Sequence, residues 1–330
     1  MKKIAIIGLG GQSRSELIPA LIKLSNKCQV VALCDTNAAF VKESLSLLPN
    51  ANSIKIYSDY SELFSAINAG KFHLDGVVLA VPHFLYSDII TKAITNNIAI
   101  FKEKPFALNI KEAKKLNDLA LKNNVQIYTV TKRQFFQSYV KGLDLLKKGL
   151  IGTPYMYCAQ NYIPHGNLYE GWRSSLKKAG GGVFIDMGYH LLDILIRYFG
   201  DVAKTSLYSS NIGNQKYIYE VEDACSILNQ HANGVHGVLQ LAALSGPKDE
   251  SIEIRGTQGR MVVAKTNVKL YDIFGNLRET FVCETSGVDA VVVALEQFLS
   301  NDKAVWSENL AHNMILMKVI DMAYKGRNTL

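Results

Sequence analysis

The stretch that decides the fold lies near the start of the chain and reads Lys3-Ile4-Ala5-Ile6-Ile7-Gly8-Leu9-Gly10-Gly11-Gln12-Ser13. Its apolar first half predicts a buried strand, and the small residues that follow predict a tight turn into a helix. Gly8 allows the turn, and Gly10 lets the backbone come close to a ligand. Because the start of a helix offers free N–H groups, the stretch predicts a pyrophosphate-binding turn that includes Gly11 and Gln12.

Two residues qualify this interpretation. Ser13 replaces the third glycine of the pattern G-x-G-x-x-G, and we expect it to loosen the packing of helix on sheet without excluding a dinucleotide. Asp35 ends the second predicted strand, where an acid binds the adenosine ribose hydroxyls. The alternatives are an ordinary strand-to-helix turn and a helix N-cap at Asp35. Since Asp35 repels a 2′-phosphate and no Arg occurs in residues 36–39, the sequence predicts NAD in preference to NADP.

The composition excludes several classes of protein. The chain has 330 residues, 48% of them apolar and 20% charged, which indicates about two globular domains and no disordered or fibrous protein. Its apolar runs are too short to cross a membrane. The five cysteines are an odd number without a C-x-x-C pair, so we expect a cytoplasmic location and no metal site.

The net charge is +7, and most of the excess lies in residues 102–148. There the lysines follow a helical spacing without interleaved aromatic residues. This favours a solvated helix face over a nucleic-acid surface, so no nucleic-acid partner is predicted.

The pattern of strands changes along the chain. Apolar runs alternate with amphipathic helices in the first part, which predicts an α/β protein with a doubly wound parallel sheet. Later strand-like runs alternate in polarity and are separated by turn residues, which predicts a mostly antiparallel sheet. We therefore expect a dinucleotide-binding domain over residues 1–130 and a second α/β domain over residues 131–330, with the chain crossing near residues 149–154.

Two further predicted strands end in residues that can carry chemistry, Pro82-His83 and Glu103-Lys104-Pro105. Open parallel sheets bind ligands at this edge, so His83 is expected either to contact a cofactor or to be solvent-exposed. Lys104 can donate a hydrogen bond to a reacting oxygen. The alternative is that Lys102 and Lys104 both belong to the basic surface. We also predict a cis peptide bond before Pro105.

The most informative stretch is Gly180-Gly181-Gly182-Val183-Phe184-Ile185-Asp186-Met187-Gly188-Tyr189-His190-Leu191-Leu192-Asp193. If a helix begins near Val183, Asp186 and His190 lie on one face. A carboxylate beside an imidazole is the arrangement of an oriented general base. The alternative is a capping Asp and a core His.

Together these motifs resemble the Gfo/Idh/MocA family, named for glucose-fructose oxidoreductase and inositol dehydrogenase. The motifs that carry the resemblance follow in order along nearly the whole chain: the glycine turn, Asp35, Tyr57-x-Asp59-Tyr60-x-Glu62-Leu63, Glu103-Lys104-Pro105, Lys132-Arg133, Gly149-x-Ile151-Gly152, Trp172-Arg173, Asp186-x-Gly188-x-His190-x-x-Asp193 and Gly256-Thr257-Gln258-Gly259. The resemblance implies a Rossmann domain, a second α/β domain with an open sheet, and a homo-oligomer, either a dimer or a tetramer.

The resemblance also implies site residues. The catalytic group would be Lys104, Asp186 and His190, with His190 taking the hydroxyl proton while hydride passes to nicotinamide. The cofactor-binding residues would be Gly8, Gly10, Gly11, Gln12, Ser13, Asp35, Pro82, His83, Glu103 and Lys104. From the chemistry of their side chains, Trp172 and Arg173 are expected either to contact substrate together with the catalytic group or to be interface or packing residues. Tyr162 and His165 are weaker candidates of the same kind. The family's Pro-Asn-x-x-His reads Pro82-His83-Phe84-Leu85-Tyr86 here, so His83 and Tyr86 replace the usual Asn and His.

Three functions remain open on this basis. The first is an NAD(P)-dependent oxidoreductase acting on a secondary hydroxyl or keto group of a sugar, polyol, aminosugar or nucleotide sugar, a small-molecule substrate. The second is an enzyme that keeps and recycles its cofactor. The third is a non-catalytic NAD-binding regulator, for which we expect loss of the lysine or histidine, and neither is lost.

Overall fold

The first sheet has six parallel strands. In the computed structural model, which describes residues 1–164, 170–213 and 218–329, their order is β3-β2-β1-β4-β5-β6. The strands are β1 (Lys2–Ile7), β2 (Cys28–Cys34), β3 (Lys55–Tyr57), β4 (Gly76–Leu79), β5 (Ala99–Glu103) and β6 (Ile127–Val130). This is the strand order of the Rossmann fold, in which the direction of winding reverses between β1 and β4. The predicted doubly wound parallel sheet is confirmed.

Helices connect and cover these strands. They are α1 (Ile18–Lys23), α2 (Ala38–Leu47), α3 (Tyr60–Asn68), α4 (Tyr86–Thr95) and α5 (Ile110–Asn123). A wide π-helical turn, Ser13–Leu17, precedes α1. Two of these helices begin at residue types that favour the N-cap position. The Asn37 side chain accepts from the N–H groups of Ala39 and Phe40 at the start of α2, and the Asp59 side chain accepts from the N–H of Ser61 at the start of α3.

The second sheet has nine strands in the order β14-β13-β12-β11-β7-β10-β9-β8-β15. The strands are β7 (Pro154–Ile163), β8 (Val202–Ser210), β9 (Ala224–His231), β10 (His236–Ala243), β11 (Asp249–Gly256), β12 (Gly259–Ala264), β13 (Asn267–Tyr271), β14 (Leu277–Val282) and β15 (Arg327–Thr329). Two pairs are parallel, β7 with β10 and β8 with β15, and the others are antiparallel. The predicted mostly antiparallel sheet is confirmed, although β7, β13 and β15 were not predicted.

One face of this sheet is covered by helices and the other is open. The covered side includes α6 (Gln137–Lys147) and a helix that begins with a π-helical turn, Phe184–Gly188, and continues as α8 (Tyr189–Phe199). A short helix, α7 (Leu176–Ala179), lies between α6 and this π-helical turn in the chain. Residues 176–199 form the one described stretch apolar enough to span a membrane, but 83% of its most apolar window is buried within the protein, as in a core helix.

Two compact units result. The first contains residues 1–130 together with 287–314, and the second contains 131–286 together with 315–330. Residues 287–314 group with the first unit, although they follow residues 131–286 of the second unit in the chain. They form α9 (Gly287–Ser300) and the first part of α10 (Lys303–Lys325). Residues 149–154 lie within the second unit, between α6 and β7.

Candidate functional site

In the first unit, the glycine turn follows β1 directly. Gly8 has a φ of +89°, and a Cβ there would lie 2.3 Å from the carbonyl oxygen of Ala80, so only glycine fits. By contrast, a Cβ at Gly10 or Gly11 would meet nothing within 4 Å. The backbone at these two glycines therefore faces open space, which suits the close approach of a pyrophosphate.

Ser13 occupies the position of the missing third glycine without loosening the structure. The residue is fully buried, and its Oγ donates a hydrogen bond of 2.5 Å to the carbonyl oxygen of Gly8. The expected looser packing is thus replaced by a buried hydrogen bond between the helix and the turn. Such a bond contributes about 1 kcal/mol to stability.

Asp35 holds the same turn from the end of β2. Its Oδ2 accepts from the N–H of Leu9 at 2.6 Å, and its Oδ1 accepts from the N–H of Asn37 at 2.8 Å. The cap of α2 is Asn37, so Asp35 is not the helix N-cap that the sequence left open. Each carboxylate oxygen has a further lone pair, and the pair of oxygens can still accept from ribose hydroxyls.

Sequence reasoning missed Arg14, which lies next to this part of the first unit. Its guanidinium carbon is 4.2 Å from the centre of the Phe40 ring, and it forms an ion pair with Glu43. Both partners lie on α2, about one and two turns after Asp35. Arg14 lies in the π-helical turn Ser13–Leu17, outside residues 36–39, where an Arg for a 2′-phosphate is expected.

The ends of β4 and β5 carry the remaining residues predicted for the first unit. His83 is 5% exposed, and its ring stacks on Tyr86 with centroids 6.1 Å apart, so the prediction of a solvent-exposed His83 is wrong. Pro82 precedes it and is partly buried. The peptide bond between Lys104 and Pro105 is cis, as predicted.

Gln12 links the glycine helix to the end of β5. Its Nε2 donates to Oε2 of Glu16 at 2.7 Å and to Oε1 of Glu103 at 3.1 Å. Lys104, the next residue, is partly exposed. Lys102 is completely buried, and burial lowers its pKa well below the ordinary value for lysine, so it does not belong to the basic surface.

In the second unit, the three glycines permit a tight entry into the helix that carries Asp186 and His190. A Cβ at Gly182 would lie 1.9 Å from the carbonyl oxygen of Glu222. The Glu222 carboxylate accepts from the N–H of Gly182 at 2.9 Å and of Phe184 at 3.2 Å. It also accepts from the hydroxyl of Tyr324 at 2.7 Å. Glu222 therefore caps this helix start, a role that the sequence did not reveal because it lies 40 residues away.

Asp186 and His190 differ from their neighbours in exposure. Within residues 183–196 every other side chain is buried, whereas these two are partly exposed. Asp186 lies within the π-helical turn Phe184–Gly188, and His190 follows it in the first turn of α8. Such a turn widens the helix and is frequent at functional sites. Both side chains are therefore accessible, unlike those of their neighbours in this helix.

Two predicted substrate residues lie beside Asp186. Arg173 Nε is 3.8 Å from Asp186 Oδ2, with 43% and 18% of the two side chains exposed. The Arg173 guanidinium also stacks on the ring of Trp172, 4.4 Å from its centre. The structure thus brings Trp172, Arg173 and Asp186 together. The Arg173 cation and the Asp186 carboxylate can bind hydroxyl groups, and the ring of Trp172 suits the apolar face of a sugar.

Tyr162 is not brought to this group. Its hydroxyl donates to Oε1 of Gln240 at 3.1 Å. Leu241 and its partner Asn161 face the helix, because Leu241 lies next to Gly188. Tyr162 is the next residue after Asn161 and therefore points to the opposite, open face of the sheet. His165 lies outside the described residues.

A buried ionic network in the second unit was also missed. Arg133 donates from Nε and Nη2 to the two oxygens of Glu250, both at 2.7 Å, and the Tyr139 hydroxyl donates to Oε1 of Glu250 at 2.7 Å. Burial alone would raise the pKa of Glu250, but the Arg133 charge and these hydrogen bonds bring it below its ordinary value. Lys132-Arg133 was the only signal in the sequence, and it gave no partner.

The two units together define a nucleotide-binding α/β protein with a second domain that carries an acid and an imidazole. The family model described as "Oxidoreductase family, NAD-binding Rossmann fold" matches residues 2–131, and the one described as "GFO/IDH/MocA C-terminal domain" matches residues 139–262. The chain therefore belongs to the GFO/IDH/MocA family of NAD-binding oxidoreductases.

Similar proteins include a myo-inositol 2-dehydrogenase of Thermotoga maritima, 23% identical over 92% of this chain and 88% of that protein. Among solved structures, an oxidoreductase of Thermotoga maritima superposes with a TM-score of 0.84 at 20% identity, covering 98% of this chain and 96% of that one. The WlbA dehydrogenase of Bordetella pertussis, in complex with NADH and UDP-GlcNAcA, gives 0.78 at 19% identity, covering 98% and 95%. At these identities the structural likeness shows the fold.

Proposed function

We propose that the protein is an NAD-dependent dehydrogenase or reductase that acts on a secondary hydroxyl or keto group of a sugar, polyol, aminosugar or nucleotide sugar. The observation that carries the proposal is the paired exposure of Asp186 and His190 in an otherwise buried helix. Dehydrogenase names among the relatives support the reaction class, and the myo-inositol enzyme supports a polyol-like substrate.

NAD is proposed as the cofactor because the glycine turn fits it. The open space at Gly10 and Gly11 accommodates a pyrophosphate, and the Asp35 carboxylate accepts from ribose hydroxyls. Two backbone N–H groups fix the position of the Asp35 carboxylate. Its negative charge there disfavours the 2′-phosphate of NADP, because like charges repel. Gly8, Gln12, Ser13, Pro82, His83 and Glu103 complete the proposed cofactor-binding set. When bound, NAD supplies the acceptor or donor of the hydride.

The proposed chemistry of the chain itself is a proton transfer at one substrate oxygen. His190 takes the hydroxyl proton on a ring nitrogen in oxidation and returns it in reduction. The Lys104 ammonium donates a hydrogen bond to the same oxygen and stabilises negative charge that develops there. Asp186 accepts from a substrate hydroxyl, and Arg173 fixes the orientation of its carboxylate. The ring of Trp172 would pack against the sugar.

A homo-oligomer in the cytoplasm is proposed as the working form. The open face of the nine-stranded sheet leaves Met156 37%, Tyr208 48% and Leu228 52% exposed, which suits burial against a second copy. The five cysteines are all free, as expected in a reducing compartment. Sedimentation velocity is expected to show a dimer or tetramer, and a monomer at micromolar concentration would contradict this part.

Two steps test the function. A fluorescence titration with NADH and NADPH is expected to show tighter binding of NADH. A screen of polyols, sugars and nucleotide sugars, followed at the nicotinamide absorbance band, is then expected to identify a substrate. Nicotinamide absorbance in the purified protein would favour the enzyme that keeps its cofactor, and weak binding of both cofactors without turnover would favour the non-catalytic regulator.

A further inference from the structure

Lys102 is a buried cation one residue before the end of β5. Lys102 is 0% exposed, and the residues before it in the strand, Ile100 and Phe101, are apolar and equally buried. Burying an ammonium is costly unless hydrogen bonds and charges replace its hydration. An apolar residue would avoid that cost, so the contacts of the ammonium need an explanation beyond packing.

The ammonium is fully engaged by its surroundings. Its Nζ donates to the carbonyl oxygen of Glu103 at 2.7 Å and to the carbonyl oxygen of Pro105. It also lies 3.7 Å from the centre of the Tyr86 ring, whose face attracts a cation. The Nζ thus has two carbonyl oxygens and one ring face as neighbours, and all three favour the charged form of the side chain.

The two carbonyl groups belong to the residues on either side of Lys104. The Lys102 side chain therefore holds the backbone on both sides of Lys104, the proposed catalytic lysine, by hydrogen bonds. The charges of Glu103 and of Glu112 on α5 favour the ammonium, whereas burial and the charge of Lys104 oppose it. Tyr86 completes the pocket, at the position where the family pattern has a histidine.

We propose that Lys102 is a positioning residue for Lys104, holding the Glu103 and Pro105 carbonyls so that the Lys104 backbone stays in place. The inference rests on the proposed function, since it assigns Lys102 to the support of the same catalytic group. Lys102 itself, being fully buried, does not touch substrate. Catalysis is sensitive to small displacements, because a misplacement of about 1 Å can cost about 100-fold in rate.

The kinetic test uses Lys102→Met, which keeps the length of the side chain and removes its charge and donors. Its kcat is expected to fall about 10- to 100-fold, with a much smaller rise in the Kd for NADH, because Glu103 is the one residue of the displaced segment in the proposed cofactor-binding set. Lys102→Gln, whose amide can still donate two hydrogen bonds, is expected to recover part of kcat. The matched control is Thr129→Val, since Thr129 is buried and pairs with Lys102 across β5 and β6. It should leave kcat unchanged.

A double variant separates positioning from a general structural role. If Lys102 acts through Lys104, Lys102→Met combined with Lys104→Ala will be no slower than Lys104→Ala alone. Losses that multiply would overturn the proposal. So would a Lys102→Met variant with the wild-type kcat.

A second readout does not depend on finding a substrate. Crystal structures of the wild type and of Lys102→Met are expected to differ by about 1 Å in the backbone from Glu103 to Pro105, with a new position for the Lys104 ammonium. An unmoved segment would overturn the proposal even if the enzyme were active. A displaced segment in a protein without dehydrogenase activity would refute the proposed function alone.

Discussion

The hydroxyl of Ser13 and the carbonyl of Gly8 are joined by a hydrogen bond of 2.5 Å inside the first unit. The bond crosses from the helix that follows the glycine turn back to the turn itself. Because Gly8 cannot carry a side chain there, the turn depends on its neighbours for support. Ser13 supplies that support at a position where glycine could not.

Ser13→Ala is therefore expected to lower the free energy of unfolding by about 1 kcal/mol, since it leaves the Gly8 carbonyl without this donor. Urea unfolding measures the change. The matched control is Ser46→Ala, whose hydroxyl donates to the Glu43 carbonyl at 2.7 Å on the exposed surface. The control should change stability by less than about 0.5 kcal/mol. Equal stability of Ser13→Ala and the wild type would contradict a stabilising role.

Asp35→Ala is expected to weaken NADH binding by about 10- to 100-fold, because it removes the proposed ribose acceptor and a support of the glycine turn. The preference for NADH over NADPH should shrink, since the repelling charge is gone. Asp75→Ala is the control. Asp75 accepts from the N–H of Lys3 at 2.7 Å, near the other end of β1. If NADH binds Asp35→Ala as tightly as the wild type, Asp35 does not hold the cofactor.

The buried pair of Arg133 and Glu250 gives a stability prediction for the second unit. Their side chains are only 9% and 2% exposed, so removing one partner leaves the other as an uncompensated buried charge. Glu250→Leu or Arg133→Met is expected to cost about 3 to 5 kcal/mol of unfolding free energy. The double variant should cost less than the sum, because neither charge remains. Additive losses in denaturant unfolding would show that the pair does not act as a unit.

His231 gives a pH dependence with a definite sign. Its Nδ1 donates to the carbonyl oxygen of Gly200 at 2.7 Å, so Nε2 of the neutral ring accepts from the Tyr157 hydroxyl at 3.3 Å. Burial lowers its pKa below the ordinary 6.5. Between the folded and unfolded pKa values the unfolded chain binds more protons, and stability must therefore fall as pH drops below about 6.5.

Urea unfolding at several pH values between about 7.5 and 5 checks this, with His231→Gln as the comparison. The wild type should lose more stability on acidification than the variant does. Equal pH slopes for the two proteins would contradict a buried neutral His231.

The sequence predicted those structural features whose residues lie close together in the chain. The glycine turn and Asp35 were recognised because a strand, a turn and a helix follow one another within 35 residues. Strand β7 was missed because its two faces differ little in polarity: the exposed face carries Met156, Cys158 and Tyr162, and the buried face carries Asn161. Its position in the middle of the sheet depends on pairing with strands about 80 to 100 residues away.

Long-range contacts explain the other differences. Residues 287–314 group with the first unit, where Gln126 donates to the Phe298 carbonyl and Asn309 pairs with the backbone of Thr129. Periodicity along the chain carries no information about such partners. Lys102 reads as a surface lysine for the same reason, since its burial is explained only by the carbonyls and the ring that surround it.

The most direct test of the proposed active site is the rate of hydride transfer by His190→Ala, measured with the substrate found for the wild type. The Kd for NADH is measured on the same preparation. We expect wild-type affinity for NADH and a kcat about 10²- to 10⁴-fold lower, because the proton acceptor is lost while the cofactor turn is intact. A His190→Ala protein that turns over at the wild-type rate would contradict the proposed role of His190 and with it the assignment of the active site.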